Sequence, residues 1–217
     1  MTSPSPARNS VTNPTADGAP PVVMNLANHF LIAIPGMGEG LFADSVIYVC
    51  KHVSNTGAMG VIINKPADVN VADLFHKLEL PLERTELAGD LVLRGGPVQP
   101  ERGYVLHEPM MVPGGEKDEV AYAATLRVPD GLEMTSSRDI LEALSVGAGP
   151  RRLLIALGCA AWEQGQLEAE IARNSWLTVP ATDHSVIFDT PLAQRYPRAL
   201  ALLGLQTWTL MPNAGHA

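Results

Sequence analysis

Arg94 and Lys65 are the residues whose type and setting point most directly to chemistry. Arg94 closes the apolar run of "LVLRGG" (91–96), and Lys65 closes that of "VIINKP". An arginine holds a carboxylate or phosphate with two parallel hydrogen bonds, and a lysine adds a compact charge. If the two runs are strands lying side by side, both cations and Asn64 face one crevice. Gly95 and Gly96 follow Arg94 directly, and His107 lies on the next run, "GYVLHEP". In an enzyme, Lys65 and Arg94 would hold an anionic substrate and His107 would act as acid or base. The candidate anion crevice is therefore Asn64, Lys65, Arg94, Gly95, Gly96 and His107, although two solvated cations at strand ends is the favoured reading of Lys65 and Arg94.

The glycine pair has a second reading. A phosphate loop needs several backbone N–H groups converging on one point, usually at a helix N-terminus. Neither GxxxxGK[ST] nor GxGxxG is present. Pro97, next after the pair, has no N–H to donate. The run beyond it reads as another strand, not a helix. A tight turn between two strands explains Gly95 and Gly96 without a ligand, and it is the favoured reading.

Other reactive types lead less far. Cys159, in "ALGCAAWEQ", is expected between a strand and a helix, where a nucleophile elbow would sit. GxSxG is absent, and a small buried residue at a strand–helix junction is the favoured reading. The six histidines form no HExxH, HxH or Cys/His zinc spacing, so no metal is expected, and no cofactor. Trp162 and Trp176 flank a helix expected over 162–174 and read as core anchors.

Positioning these residues requires a series of strands and then an alternation. Strands are expected at "HFLIAIP" (29–35), "SVIYVCKHV" (45–53), "TGAMGVIINKP" (56–66), "LVLRGG", "GYVLHEP" and "EVAYAATLRV" (119–128). Asn70 caps a helix with Asp73 in its first turn. "DG" (130–131) signals a hairpin. "SSRDILEALSVGAG" reads as a helix with a serine cap and Gly147 as its stop. "RRLLIALG" (151–158) is apolar enough to be a strand covered on both faces, and "SWLTVPA" (175–181) is a further strand. The last helix starts at Thr190-Pro191, with Gly204 past its end. The fold class is α/β (α+β) with a mixed sheet.

Bulk properties narrow the function. The 217 residues carry 46% apolar side chains, enough for the core of one large domain. The formal net charge of −8 repels phosphate backbones, which disfavours direct nucleic-acid binding. Arg151-Arg152 is the one basic pair that stands out, and it reads as solvated strand-start charge. Both cysteines, Cys50 and Cys159, lie in apolar runs without CxxC spacing, as reduced buried thiols do. No apolar run reaches the roughly 18 residues of a membrane helix, and no secretory signal is recognisable. The expected compartment is the cytoplasm. Residues 1–23 are rich in Pro, Ser, Thr and Asn and are expected to be a disordered tail, leaving 24–217 as one domain.

The blocks "NHFLIAIPGM", "FADSVIYVCKH", "GAMGVIINKP", "LRGGPVQPERGYVLH", "TSSRDILEAL", "GPRRLLIALG", "WEQGQLEAEIARNSWLTVPA" and "VIFDTP" together resemble the AlgH/YqgE family of bacterial proteins. The resemblance runs in order from about residue 25 to 205. It implies a single-domain fold with a mixed, partly barrel-like sheet packed by helices, and a cytosolic bacterial protein. It implies no established activity, only a suggested link to the regulation of alginate production. The recurrent polar positions it transfers are Asn64 and Lys65 in "INKP", Arg94, Gly95 and Gly96 in "RGGPV", and His107 in "VLH". Family members usually read "LGYAGW" where this chain reads "LGCAAW", so Cys159 stands in place of a tyrosine. The functional expectation is a non-catalytic regulatory protein, of the kind named as transcriptional regulators, that binds a small anionic ligand or a protein partner. The alternative is a hydrolase or transferase acting on a phosphorylated or carboxylated metabolite.

Overall fold

The computed structural model describes residues 24–35, 40–111, 114 and 119–206. The expected tail, 1–23, lies outside the described residues.

The apolar runs become the strands His29–Ala33 (β1), Val46–Val53 (β2), Gly57–Ile62 (β3), Pro66–Asn70 (β4), Leu91–Arg94 (β5), Val98–His107 (β6), Thr125–Arg127 (β7), Glu133–Thr135 (β8), Leu153–Trp162 (β9) and Trp176–Pro180 (β10). They form one curled, half-barrel sheet in the order β10-β1-β2-β3-β9-β6-β8-β7, with β5 beside β9 and β4 beside β5. Only β5 and β9 run parallel, so the sheet is mixed, as expected. Register shifts in β2–β3, β4–β5 and β6–β9 mark bulges, which bend strands and raise local twist.

β9 organises the domain. Leu157 pairs with Arg94 of β5 on one edge and with Gly103 of β6 on the other. Farther along, Ala160 to Trp162 pair with β3. Its near-continuous apolar sequence is explained by burial on both faces. Leu154, Ala156 and Cys159 join a core with Phe30, Tyr48 and Leu106, against Ser185–Phe188 (α4) and Leu192–Leu202 (α5). Ile155 joins a second cluster with residues of Val71–Lys77 (α1) and Asp139–Ser145 (α2). Ala160 and Trp162 pack with Leu167 of Gln166–Ala172 (α3) and with Trp176. Each fully buried aliphatic or aromatic side chain contributes about 1.5–3 kcal/mol through removal from water.

Several local readings hold. Asn70 caps α1, its Oδ1 accepting from the Asp73 N–H at 2.8 Å, an arrangement worth about 1 kcal/mol. Asp130 adopts φ 53° in the β7–β8 hairpin, and Gly147 adopts φ 78° just past α2. Trp162 and Trp176 are core anchors whose indole N–H groups both donate to Glu170 Oε2, each at 2.8 Å.

Four readings need correction. The run 119–128 is strand only over Thr125–Arg127, because the Ala123 and Ala124 N–H groups donate to Asp139 Oδ2 and Ser137 Oγ instead of to a ladder. The expected serine cap also fails, since Ser136 and Ser137 accept from Arg102 and from the Ala124 N–H, and α2 starts after Arg138 without a side-chain cap. α3 starts at Gln166, not Trp162, since Trp162 is still paired in β9. Pro191 is the cap of α5 rather than its first residue, and a short α4 precedes it.

Candidate functional site

The crevice begins where β3 runs out toward β4. Asn64 Oδ1 accepts from the Val46 N–H at 2.8 Å, and its Nδ2 donates to the Asp44 carbonyl at 2.8 Å. The amide thus pins the exit of β3 to the entry of β2. Next, the Arg94 N–H donates to the Lys65 carbonyl at 2.8 Å, and Pro66 stands opposite Leu93. The two segments lie side by side, as the sequence reading required. Lys65 and Arg94 therefore oppose each other across an antiparallel pair, their Cβ atoms about 5 Å apart. Arg94 is exposed and Lys65 half-buried, and neither forms an ion pair among the described residues. A cleft of about 450 Å³ adjoins Arg94, which lines it with Gly96, Pro97, Pro100, Ala67 and the carboxylate-bearing Asp68; Lys65 is not one of its lining residues.

Gly95 and Gly96 do more than turn the chain. β5 and β6 are not neighbours; they flank opposite edges of β9. The glycine pair carries the chain across β9 at Gly158. The Gly95 N–H donates to the Leu157 carbonyl at 2.7 Å, and its carbonyl accepts from the Ile62 N–H at 2.9 Å. A Cβ on Gly95 would lie 2.2 Å from the Gly158 carbonyl oxygen, and one on Gly96 would lie 2.1 Å from the Cys159 carbonyl carbon. Gly158 itself adopts φ 71°. Backbone crosses backbone here, and only glycines fit.

His107 is placed elsewhere. It ends β6 opposite Leu153, whereas Arg94 faces Leu157 from the other edge. Those four residues of β9 alone separate them by about 13 Å. The imidazole is fully buried, with Nδ1 at 2.8 Å from the Glu108 carbonyl and Nε2 at 2.9 Å from Thr135 Oγ1. The structure brings Asn64, Lys65, Arg94, Gly95 and Gly96 together and leaves His107 out. Burial, more than anything else, holds the His107 pKa below its ordinary value of 6.5. The unfolded chain takes up this proton near 6.5 and the folded chain only below it, so the stabilisation is complete above pH 6.5 and is lost as pH falls beneath it. Unfolding free energy measured from pH 7 to 5 is expected to fall, and His107→Asn to flatten that fall. His184, also depressed by burial, leaves a residual slope. An unchanged slope in the variant would assign the effect to other groups.

Cys159 lies inside β9, not at a strand–helix junction, which removes the elbow geometry. It is 3% exposed, burial raises its pKa, and its Sγ approaches the Tyr104 hydroxyl at 3.7 Å. That contact belongs to a polar cluster of Gln99, Arg102 and Tyr104 that the sequence reading passes over. The i, i+2 spacing of Arg102 and Tyr104 could not reveal it, because Arg102 lies in the irregular stretch between Val98 and Gly103, where strand alternation is interrupted. Among the described residues, no group of three or more His, Cys, Asp or Glu side chains could hold a metal ion, and no helix is long and apolar enough to cross a membrane.

Comparison with known proteins agrees with this architecture. The AlgH-like family, DUF179, matches residues 30–208. A UPF0301 protein of Polaromonas sp. is 60% identical over 195 residues, which are 90% of this chain and 97% of that protein. One of Variovorax paradoxus is 58% identical over 202 residues, 93% of this chain and 99% of that protein. The solution structure of the AlgH protein from Pseudomonas aeruginosa superposes with a TM-score of 0.68 at 40% identity, covering 93% of this chain and 100% of that one. A crystal structure from Corynebacterium diphtheriae shares the fold, with a TM-score of 0.59 at 20% identity, covering 81% of this chain and 85% of that one. With the family pattern spanning residues 30–208 and relatives this similar over nearly the whole chain, the protein belongs to the AlgH-like (UPF0301) family.

Proposed function

We propose that this chain is a non-catalytic, cytoplasmic regulatory protein that binds a small anionic ligand at the Lys65–Arg94 crevice. The observation that carries the reading is the opposition of two cations across one backbone pair, with no carboxylate partner among the described residues. Like charges placed directly opposite destabilise a sheet, and an anion seated between them reverses the sign. The non-catalytic part rests on how the reactive groups are committed. His107 is held between Thr135 and Glu108, Asn64 pins β2, and Cys159 is buried within a strand. A regulatory role through direct DNA contact is disfavoured by the net charge of −8, so regulation would run through the ligand or a protein partner.

A thermal-shift series with nucleotides, sugar phosphates and organic acids tests this, with Arg94→Ala alongside. A ligand at 100 times its dissociation constant adds about 2.7 kcal/mol of stability. The expected result is a shift with at least one compound class that disappears in the variant. Absence of a shift with every class would overturn the anion-site reading, and turnover of any of them by the purified protein would overturn the non-catalytic one.

A further inference from the structure

A second concavity, of about 440 Å³, shares no lining residue with the cleft beside Arg94. It is built on one face of successive strands. Lys51 of β2 opposes Met59 of β3, and Met59 opposes Ala161 of β9, which sets these three side chains in a row. On the far side, Leu126 of β7 opposes Met134 of β8. Between the two rows lie Cys159 and Tyr104, 3% and 4% exposed, as the floor.

The polar groups of this trough converge. The bulge between Val98 and Gly103 lifts Gln99 and Arg102 out of the ladder. Gln99 sits at φ 50°, a left-handed conformation that a glutamine rarely adopts. Its Oε1 accepts from the Tyr104 hydroxyl at 3.1 Å and from Arg102 Nη1 at 3.3 Å. Arg102 Nη2 donates to Ser136 Oγ at 2.8 Å, and the guanidinium lies 5.6 Å from the centre of the Tyr104 ring. Every one of these partners is neutral. Arginine carries five N–H donors, so most of the fork remains available to a ligand.

Charge and shape then select the ligand. The chain carries a net charge of −8, yet the described residues lining this trough include Lys51 and Arg102 and no acid. The walls, Met59, Met134, Leu126 and Ala161, are apolar, and methionines adapt to varied shapes. A cation held in place by neutral groups, above an apolar wall in a cavity of ligand size, matches an anion with an apolar body. The planar fork favours a carboxylate head. We infer that this trough binds a small amphipathic carboxylate, its head on Arg102 and its apolar body along Met59 and Met134.

Calorimetric titration of the full chain with sodium octanoate tests this, against sodium acetate, octan-1-ol and octyl phosphate. Saturable octanoate binding is expected, with acetate and octanol each weaker by about tenfold or more, since each lacks one half of the recognition. Arg102→Met should weaken octanoate by about tenfold without lowering the melting temperature, because this side chain is exposed. Ala161→Trp, which fills the trough from an exposed strand position, should abolish binding. Arg94→Ala should leave octanoate affinity unchanged, so failure here and failure of the Lys65–Arg94 reading are distinguishable. The inference is overturned if octanol binds as tightly as octanoate, if Arg102→Met and Ala161→Trp bind like the parent chain, or if octyl phosphate binds about tenfold tighter than octanoate.

Discussion

Gly96→Ala is expected to destabilise the protein by about 3 kcal/mol or more, at the top of the range for overpacking a core. The reason is what the new methyl group meets. Its Cβ would lie 2.1, 2.2 and 2.3 Å from the Cys159 carbonyl carbon, the Cys159 carbonyl oxygen and the Ala160 nitrogen. These are backbone atoms of the central strand, paired on both edges, so they have no rotamer to change. Relief requires the crossover to lift off β9. That movement would break the Gly95–Leu157 and Ile62–Gly95 hydrogen bonds and uncouple β5 from β6. Gly103→Ala, a few residues on, is the control. A Cβ there meets nothing within 4 Å, and the change should stay within about 0.5 kcal/mol. Urea unfolding of both variants gives the comparison. Equal stability of the two would mean that β9 yields at Gly158, and the crossover would lose its explanation. An unfolded Gly96→Ala chain beside a folded Gly103→Ala chain is the extreme form of the expected result.

Arg127→Met should cost about 3 kcal/mol, the second large effect. Glu133 is completely buried, and its Oε1 accepts from Arg127 Nε at 2.9 Å and Nη2 at 2.8 Å. Its other oxygen takes the Met110 N–H at 3.4 Å, a weak contact. Removing the guanidinium leaves a buried carboxylate with little to compensate it, and that uncompensated charge is what costs. The figure is set at the low end of the range because the Arg127 side chain is 32% exposed and solvent screens part of the interaction. Glu133→Gln removes the charge instead of stranding it and should cost about 1 kcal/mol. The double variant should then be more stable than Arg127→Met alone. If Arg127→Met stays within about 0.5 kcal/mol of the parent, solvent reaches Glu133 and the pair behaves as a surface one.

The two variants probe different parts of the sheet. Gly96 governs how the strands are threaded, and Arg127 governs how the β7–β8 hairpin closes its edge. β7 is an edge strand, and an inward-facing charge pair is one way to keep such an edge from pairing with another chain. The octanoate trough lies between these regions, with Leu126 and Met134 of the hairpin forming one wall.

Periodicity and capping chemistry were enough to place most elements. "SVIYVCKHV", "LVLRGG" and "RRLLIALG" became β2, β5 and β9, because an apolar, branched run has few alternatives to a covered strand. Asn70 and Gly147 marked helix ends, since a cap depends on residues three or four apart. Whether Lys65 and Arg94 meet was not legible, because matching cations at two strand ends do not fix which strands are adjacent; the backbone hydrogen bond from Arg94 to Lys65 decides it. Local signals misled where a side chain served a distant backbone. In place of the expected serine cap, Ser137 serves Ala124, and the run from Glu119 breaks early because Asp139 takes the Ala123 N–H.

The sequence by itself determined most element types, the mixed α/β class and the net negative charge, because composition, period and short-range spacing encode these directly, and the resemblance of its ordered blocks pointed to the AlgH-like family. The tertiary structure alone decided which strands meet. It showed that "RGG" crosses β9 instead of turning back beside it, since the contact with Gly158 lies more than 60 positions away. It removed His107 from the crevice by burying it against Thr135, and it gathered Lys51, Arg102 and Cys159 from three separate strands into one trough. Strand order and the direction a bulge gives a side chain are set by long-range packing, and no window of neighbouring residues carries them.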